Sequence, residues 1–311
     1  MEVSHELSSW WGRQVFVAGR ADLWQIGSLN VQVERSGRAW HFAHDYVSWS
    51  ESLRQGRLSS TPHGQWPKAR RISGAPSLLQ SAEAPPHRSV LTSRPTLRSR
   101  PISAIAEGFD LIFQPSLLER TYVASLLSPI SLAPEEKLSL AVKVPLSLRI
   151  DGTTGTGALR PLFEVPLEDV QDTWHGPEPR EGELAWACPS DRENLERFPS
   201  QLSERMSDLN SGLGHVIVAV EIRNSGPLRI LEHFPIPSPQ LSLFHATKTG
   251  FWTDRLSLEW TAFGQWHKRP ERQPPKECGS HQLVAHPRSE ASEPAIKALR
   301  GLMNHNMFRE R

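Results

Sequence analysis

The sequence predicts an all-β protein of antiparallel, sandwich-like sheets, arranged as two domains or sub-domains and closed by a short C-terminal helix. Three observations carry that expectation. Proline is abundant, at 26 residues; it fixes φ and cannot donate a ladder hydrogen bond, so short strands joined by loops are favoured over long helices. Tryptophan, at 11 residues against two tyrosines, supplies large apolar side chains for a sheet core. Several runs alternate apolar and polar residues at the period of a strand with one buried face. With 311 residues the chain is long enough for two domains or one large β domain.

The first element is a hairpin. Leu29, Val31 and Val33 alternate with Asn30, Gln32 and Glu34, Ser36 and Gly37 supply a turn, and Trp40 and Phe42 continue the alternation on the return. Trp10, Trp11 and Trp24 are expected beside it. Phe109, Leu111 and Phe113 mark the next strand. The longest alternation follows, through Leu138, Leu140, Val142, Val144, Leu146, Leu148 and Ile150, with Pro145 marking an edge strand, a bulge or two strands meeting at a bend. Asp151 to Gly157, with three glycines, forms a turn-rich loop, and 191–209 could hold a short helix.

Val216, Val218, Val220 and Ile222 make a further strand. The turn Asn224-Ser225-Gly226-Pro227 and the return through Leu228 and Ile230 then give a pattern common in immunoglobulin-like sandwiches. Leu241 and Leu243, then Leu256, Leu258 and Trp260, supply two more strands. The tail from Pro294 suits an amphipathic helix, with Ser292 as its cap and Ile296, Leu299, Met303 and Met307 at helical spacing. The expected domain plan is a hairpin region at 1–53, a basic linker at 54–105, a β-sandwich region at 106–268, and a polar linker with the helix at 269–311.

The segment 54–101 carries nine Lys or Arg residues and one acid, Glu83, without a sustained period. A solvated spacer and an electrostatic contact with nucleic acid or anionic lipid are the competing readings. The net charge of +1 gives the whole chain no general affinity for polyanions, and no nucleic-acid partner is expected by default. The two cysteines, Cys188 and Cys278, form no CxxC, which excludes a disulfide framework and points to a reducing compartment. The absence of a leader pattern and of a bilayer-length apolar run leads to the expectation of a cytoplasmic protein with no transmembrane segment.

Residues 172–187 form the densest chemical segment. Two tryptophans, one histidine, four acids and an arginine fall within sixteen positions, framed by glycines and prolines that would hold a loop in a defined shape. Asp172, Trp174, His175, Arg180, Glu181, Glu183 and Trp186 are the candidate binding residues. Asp172, His175, Glu178, Glu181 and Glu183 have the side chains to ligate a metal or shuttle protons, and Arg180 can hold a carboxylate or phosphate bidentately. A purely structural corner, with Arg180 paired to a local acid, explains the same residues.

Elsewhere, His41, His44 and Asp45 resemble a metal trio, but strand positions three apart face opposite ways. Cys188 has no identifiable base beside it. The glycines around Gly152 match no phosphate-cradling motif, and HExxH, GxSxG and metal-finger spacings are absent. No cofactor and no catalytic set is therefore assigned, and the sequence leans away from an enzyme. A non-enzymatic binding or accessory protein is expected; the alternative is a metal-assisted or acid-base hydrolase using Asp172, His175, Glu181 and Glu183. The oligomeric state is left open.

The stretch Asp172-Thr173-Trp174-x-Gly176-Pro177-x-x-Arg180-Glu181-Gly182-Glu183-Leu184 resembles the hallmark of a prokaryotic family known as domain of unknown function 432. Trp24 to Leu29, Pro115 to Arg120 and Pro235 to Leu243 are similar to further parts of that family, so the resemblance covers about 10–50 and 109–262. Two departures stand out, at His175, where an aromatic is usual, and at Trp186, where a Cys-Tyr pair often lies nearby. The resemblance implies no activity. Some members are encoded near small-conductance mechanosensitive channels, which implies an accessory role at a membrane protein and an unidentified protein partner.

Overall fold

The computed structural model describes residues 3–6, 11–46, 70–75, 102–105, 110–153, 158–175, 183–187 and 214–288. β-Strand dominates them. The first eight strands are β1 (Val3–Glu6), β2 (Gly12–Val15), β3 (Ala21–Ile26), β4 (Leu29–Ser36), β5 (Ala39–Tyr46), β6 (Arg70–Ala75), β7 (Ile102–Ile105) and β8 (Asp110–Ser116). Then come β9 (Tyr122–Leu132), β10 (Lys137–Pro145), β11 (Ser147–Thr153), β12 (Leu159–Pro166), β13 (Gln171–His175) and β14 (Glu183–Ala187). The last seven are β15 (His215–Asn224), β16 (Arg229–Ile236), β17 (Leu243–Ala246), β18 (Gly250–Thr253), β19 (Leu256–Trp260), β20 (Trp266–Pro270) and β21 (His281–Ala285). Two short 3-10 turns, Ser238–Gln240 and Lys276–Cys278, complete the described elements, and no helix among the described residues is long and apolar enough to cross a membrane.

The chain divides into two compact units that are interleaved rather than successive. The first is built from Met1–Ser116, Pro145–Asp169 and Gly212–Gly214, the second from Leu117–Val144, Val170–Ser211 and His215–Arg311.

The first unit holds a six-stranded antiparallel sheet, in the order β1-β6-β3-β4-β5-β7, and a four-stranded one, β12-β11-β8-β2. Both hairpins of the larger sheet turn on two residues, with Gly27 and Gly37 in the left-handed region at φ 60° and 62°. That turn chemistry sets the register, and the register puts Trp24, Trp40 and Phe42 on the buried face. Across the core Trp24 meets Phe113 at 4.7 Å and Phe42 stacks on Phe163 at 5.1 Å. Aromatic side chains thus weld the two sheets into the expected sandwich.

The 54–105 segment is not wholly linker: β6 and β7 lie inside it, beside β3 and β5. Their partners, more than twenty residues away in sequence, supply the pairing that the local pattern did not announce. At Pro145 one strand ends and another begins at Ser147, β10 pairing with β15 and β11 with β8 and β12. Trp10, the helix expected at 191–209 and the C-terminal helix lie outside the described residues.

The second unit holds a mixed seven-stranded sheet, in the order β20-β19-β15-β18-β17-β21, with β10 also on β15. Its other sheet is β13-β14-β9-β16. Here one expectation is corrected. The strand through Val216 and the return through Ile230 do not form a hairpin: β15 runs parallel to β18 and β19, whereas β16 pairs with β9 in the other sheet. The reason is visible in burial. Residues 215–220 are buried on both faces, the mark of a central strand rather than a hairpin arm with one wet side.

The turn after β15 carries the chain across because Asn224 holds it open. Its Nδ2 donates to the carbonyls of Leu132 at 2.9 Å, Ala133 at 3.2 Å and Pro227 at 2.8 Å, and its Oδ1 accepts from the Gly226 amide at 3.1 Å. The polar 269–287 stretch is likewise structured, with the end of β20, the second 3-10 turn and β21 at the far edge of the sheet. Edge strands need no apolar alternation, which is why this one reads as a loop.

Candidate functional site

The 172–187 segment is a β-hairpin rather than a loop throughout. β13 and β14 pair antiparallel, with Asp172 opposite Trp186, Trp174 opposite Leu184 and His175 opposite Glu183. The connection 176–182, which carries Arg180 and Glu181, lies outside the described residues, as do the side chains of Trp174 and Glu183. β13 is the edge of its sheet, and β14 meets β9 through one parallel bridge, Trp186 to Tyr122.

Three side chains lock the hairpin in place. Asp172 Oδ1 accepts from Arg120 Nη1 at 2.8 Å and from the Trp186 indole Nε1 at 2.9 Å. The Arg120 guanidinium also lies over the Trp186 ring, 5.2 Å from its centroid. The Trp186 amide adds a bond to the Thr121 carbonyl at 2.9 Å. A charge-assisted hydrogen bond and a cation–π contact on the same arginine fix an otherwise thinly attached element. Being exposed, the ion pair itself adds little stability; its effect is geometric.

His175 faces the other way. It is buried, and its ring meets that of His233 on β16 edge-on, with centroids 6.0 Å apart. Asp172 and His175 are therefore not brought together, as the alternation along a strand dictates. Among the described residues no group of three His, Cys, Asp or Glu side chains is placed to hold a metal.

The trio at His41, His44 and Asp45 splits for the same reason. His44 joins the aromatic side of β5, edge-on to Tyr46 at 5.8 Å and tilted against Phe163 at 5.9 Å. Burial pushes its imidazole below the ordinary range, partly offset by Asp45 and Asp169. The unfolded chain then takes up a proton near the ordinary value of 6.5 while the folded chain resists it. Stability from this group is full above that pH and falls as the pH drops below it. His44→Phe is expected to flatten the acid limb of a urea-midpoint-against-pH curve below about pH 6.5; an unchanged limb would assign that limb to other groups.

Cys278 is a buried free thiol, pushed up to about 11 by its surroundings, consistent with a small core side chain. Cys188 lies outside the described residues. Sequence reasoning missed Arg120, His233 and the Arg229–Trp260 stack, in which the guanidinium sits 3.3 Å from the ring centroid. Arg120 stood in a quoted segment, Pro115 to Arg120, but its partner is 52 positions away.

No curated protein and no solved structure matches this chain. A family model does, described as Protein of unknown function (DUF432), over residues 10–303. The match is wider than the resemblance suggested, since it runs through the basic 54–105 segment and most of the tail. Its span takes in both units, the hairpin and the Arg120–Asp172–Trp186 lock, and the chain therefore belongs to the DUF432 family of proteins of unknown function.

Proposed function

We propose that this protein is a non-enzymatic binding or accessory protein that engages a protein partner through the β13–β14 hairpin and its 176–182 turn. The observation that carries the reading is the lock on Asp172: Arg120 and Trp186 hold the base of the hairpin, whose β13 arm is the edge of its sheet. Strand arms held in this way lose less entropy on binding than a free segment. Leu184, 47% exposed on the hairpin, adds apolar contact area, and Arg180 would serve as the anchor, arginine being enriched among residues that dominate interfaces. A reducing, cytoplasmic setting suits a chain with two cysteines, one of them a buried free thiol. A membrane channel is one candidate for the partner.

Capture from native extract tests this. The intact chain should retain a partner that Arg180→Ala loses by about thirtyfold or more, as expected for an interface anchor, while circular dichroism shows both chains folded. Asp172→Ala should weaken capture without touching the turn itself. Equal capture by all three chains would return the hairpin to a structural role.

A further inference from the structure

The six-stranded sheet of the first unit is buried on both faces at its centre, although only one face meets the unit's other sheet. The core face carries Trp24, Trp40 and Phe42, closed over by Phe113 and Phe163 of the four-stranded sheet. The registers of β3, β4 and β5 gather Ala21, Leu23, Asn30, Gln32, Glu34 and Ala43 on the opposite face. All six are buried, Glu34 to 4% exposure and Ala43 to 1%. Among the described residues the first unit has no third sheet to lay against them. The outer face of a two-layer sandwich is ordinarily wet. A buried glutamate and asparagine at its centre mark a face that is covered.

Strand direction points to the cover. β6, β3, β4, β5 and β7 are each antiparallel to the next, so β6 and β7 run parallel with three strands between them. Parallel strands of one sheet are not joined by a hairpin; the chain between them crosses a face of the sheet. The core face is filled by the four-stranded sheet, which leaves the Gln32 face for 76–101, the connection from Ala75 to Ile102. By contrast 47–69 joins β5 to β6, which run antiparallel, at one end of the sheet and crosses neither face by necessity. Ala75, Ala21, Glu34, His41 and Ser103 lie in one row across the five strands. At the usual strand spacing that row is about 19 Å long. The segment 76–101 reaches roughly 90 Å when extended, so it has length to lie along the face. Its composition fits as well. The face holds Glu34 and, half-buried beside Asn30, Asp45, and β3, β4 and β5 place no lysine or arginine on it. The segment carries Arg88, Arg94, Arg98 and Arg100 against Glu83 alone, together with five leucine or valine residues.

We propose that the Asn30–Gln32–Glu34 face is a docking surface for the chain's own basic segment, 76–101, which crosses it from β6 to β7 as a third layer. The leucines and valine of the segment meet Ala21, Leu23 and Ala43, and its arginines meet Glu34 and Asp45. A carboxylate at that depth needs donors or a cation beside it. His41 stands opposite Glu34 in the ladder, and the arginines bring a charge that is permanent. The arginine-rich stretch is then committed within the chain instead of being offered to polyanions. This face is separate from the β13–β14 hairpin, so either reading can fail alone.

Ala43→Cys sets a thiol at the centre of the face, opposite Gln32, with little change in volume. In the full chain iodoacetamide should label it at least about a hundredfold more slowly than in urea, read by mass spectrometry of its peptide. Replacing 78–99 in that variant by a glycine-serine sequence of equal length should restore rapid labelling, with circular dichroism and tryptophan emission unchanged. Trypsin supplies a second measurement, on the unaltered chain. Arg88 and Arg98 precede serines and are cleavable, whereas Arg94 and Arg100 precede prolines. Both cleavable bonds should be cut at least about tenfold more slowly than in a free 76–101 peptide. Rapid labelling in the full chain overturns the proposal. Protection that survives replacement of the segment overturns it too, and gives the cover to another part of the chain. Cleavage at the rate of the free peptide also overturns it, whether or not the replaced chain folds.

Discussion

Trp24→Ala is expected to destabilise the first unit by about 3–5 kcal/mol, the usual cost of truncating a buried aromatic residue. Trp24 is fully buried on β3, opposite Val31 across the hairpin ladder and 4.7 Å from Phe113 in the facing sheet. Its removal therefore takes away contact area and opens a cavity between two sheets whose aromatic residues interlock. Phe42 and Phe163, stacked elsewhere in the same core, cannot shift to fill it without leaving one another. A lowered urea midpoint followed by intrinsic fluorescence is the expected result. An unchanged midpoint would mean that the core closes around the gap, and that these sheets are held by their ladders alone.

Asn224→Ala should cost the second unit about 3 kcal/mol, by a different mechanism. The side chain is fully buried, its two Nδ2 hydrogens shared among three carbonyls while one amide donates to Oδ1. The backbone of the same residue donates to Glu136 at 3.0 Å and accepts from Glu135 at 2.7 Å. Alanine would leave buried backbone groups without partners, which costs more than the bonds contribute when made. Asn224→Asp is the informative control, since it keeps the acceptor for Gly226 and removes the donors to the carbonyls. It should destabilise as much as alanine or more, because a buried carboxylate would face three carbonyl oxygens. A neutral outcome for both variants would show that the turn is set by its Gly226-Pro227 backbone instead.

In the β13–β14 hairpin stability and function are hard to separate: Arg120 and Asp172 tie β13 and β14 to the start of β9, which has one bridge to β14. Changes in them act on the base of the hairpin, so Arg180 is the cleaner probe of contact.

Local pattern alone determined much of this protein. The all-β class, the β4–β5 hairpin with its two-residue glycine turn, and the strands through Leu111, Val142, Val218 and Leu258 follow from side-chain alternation and turn chemistry, which act over a few residues. The density of tryptophan, arginine and acids at 172–187 was legible too. Tertiary structure decided the rest. It seated β6 and β7 in a sheet, sent β15 and β16 to different sheets, and made a hairpin of 172–187. It also paired Arg120 with Asp172, His175 with His233 and Arg229 with Trp260. Apart from the 172–187 hairpin, whose arms are near neighbours in sequence, those outcomes depend on residues far apart in the chain, and a strand's period states which face is buried but not which strand lies beside it.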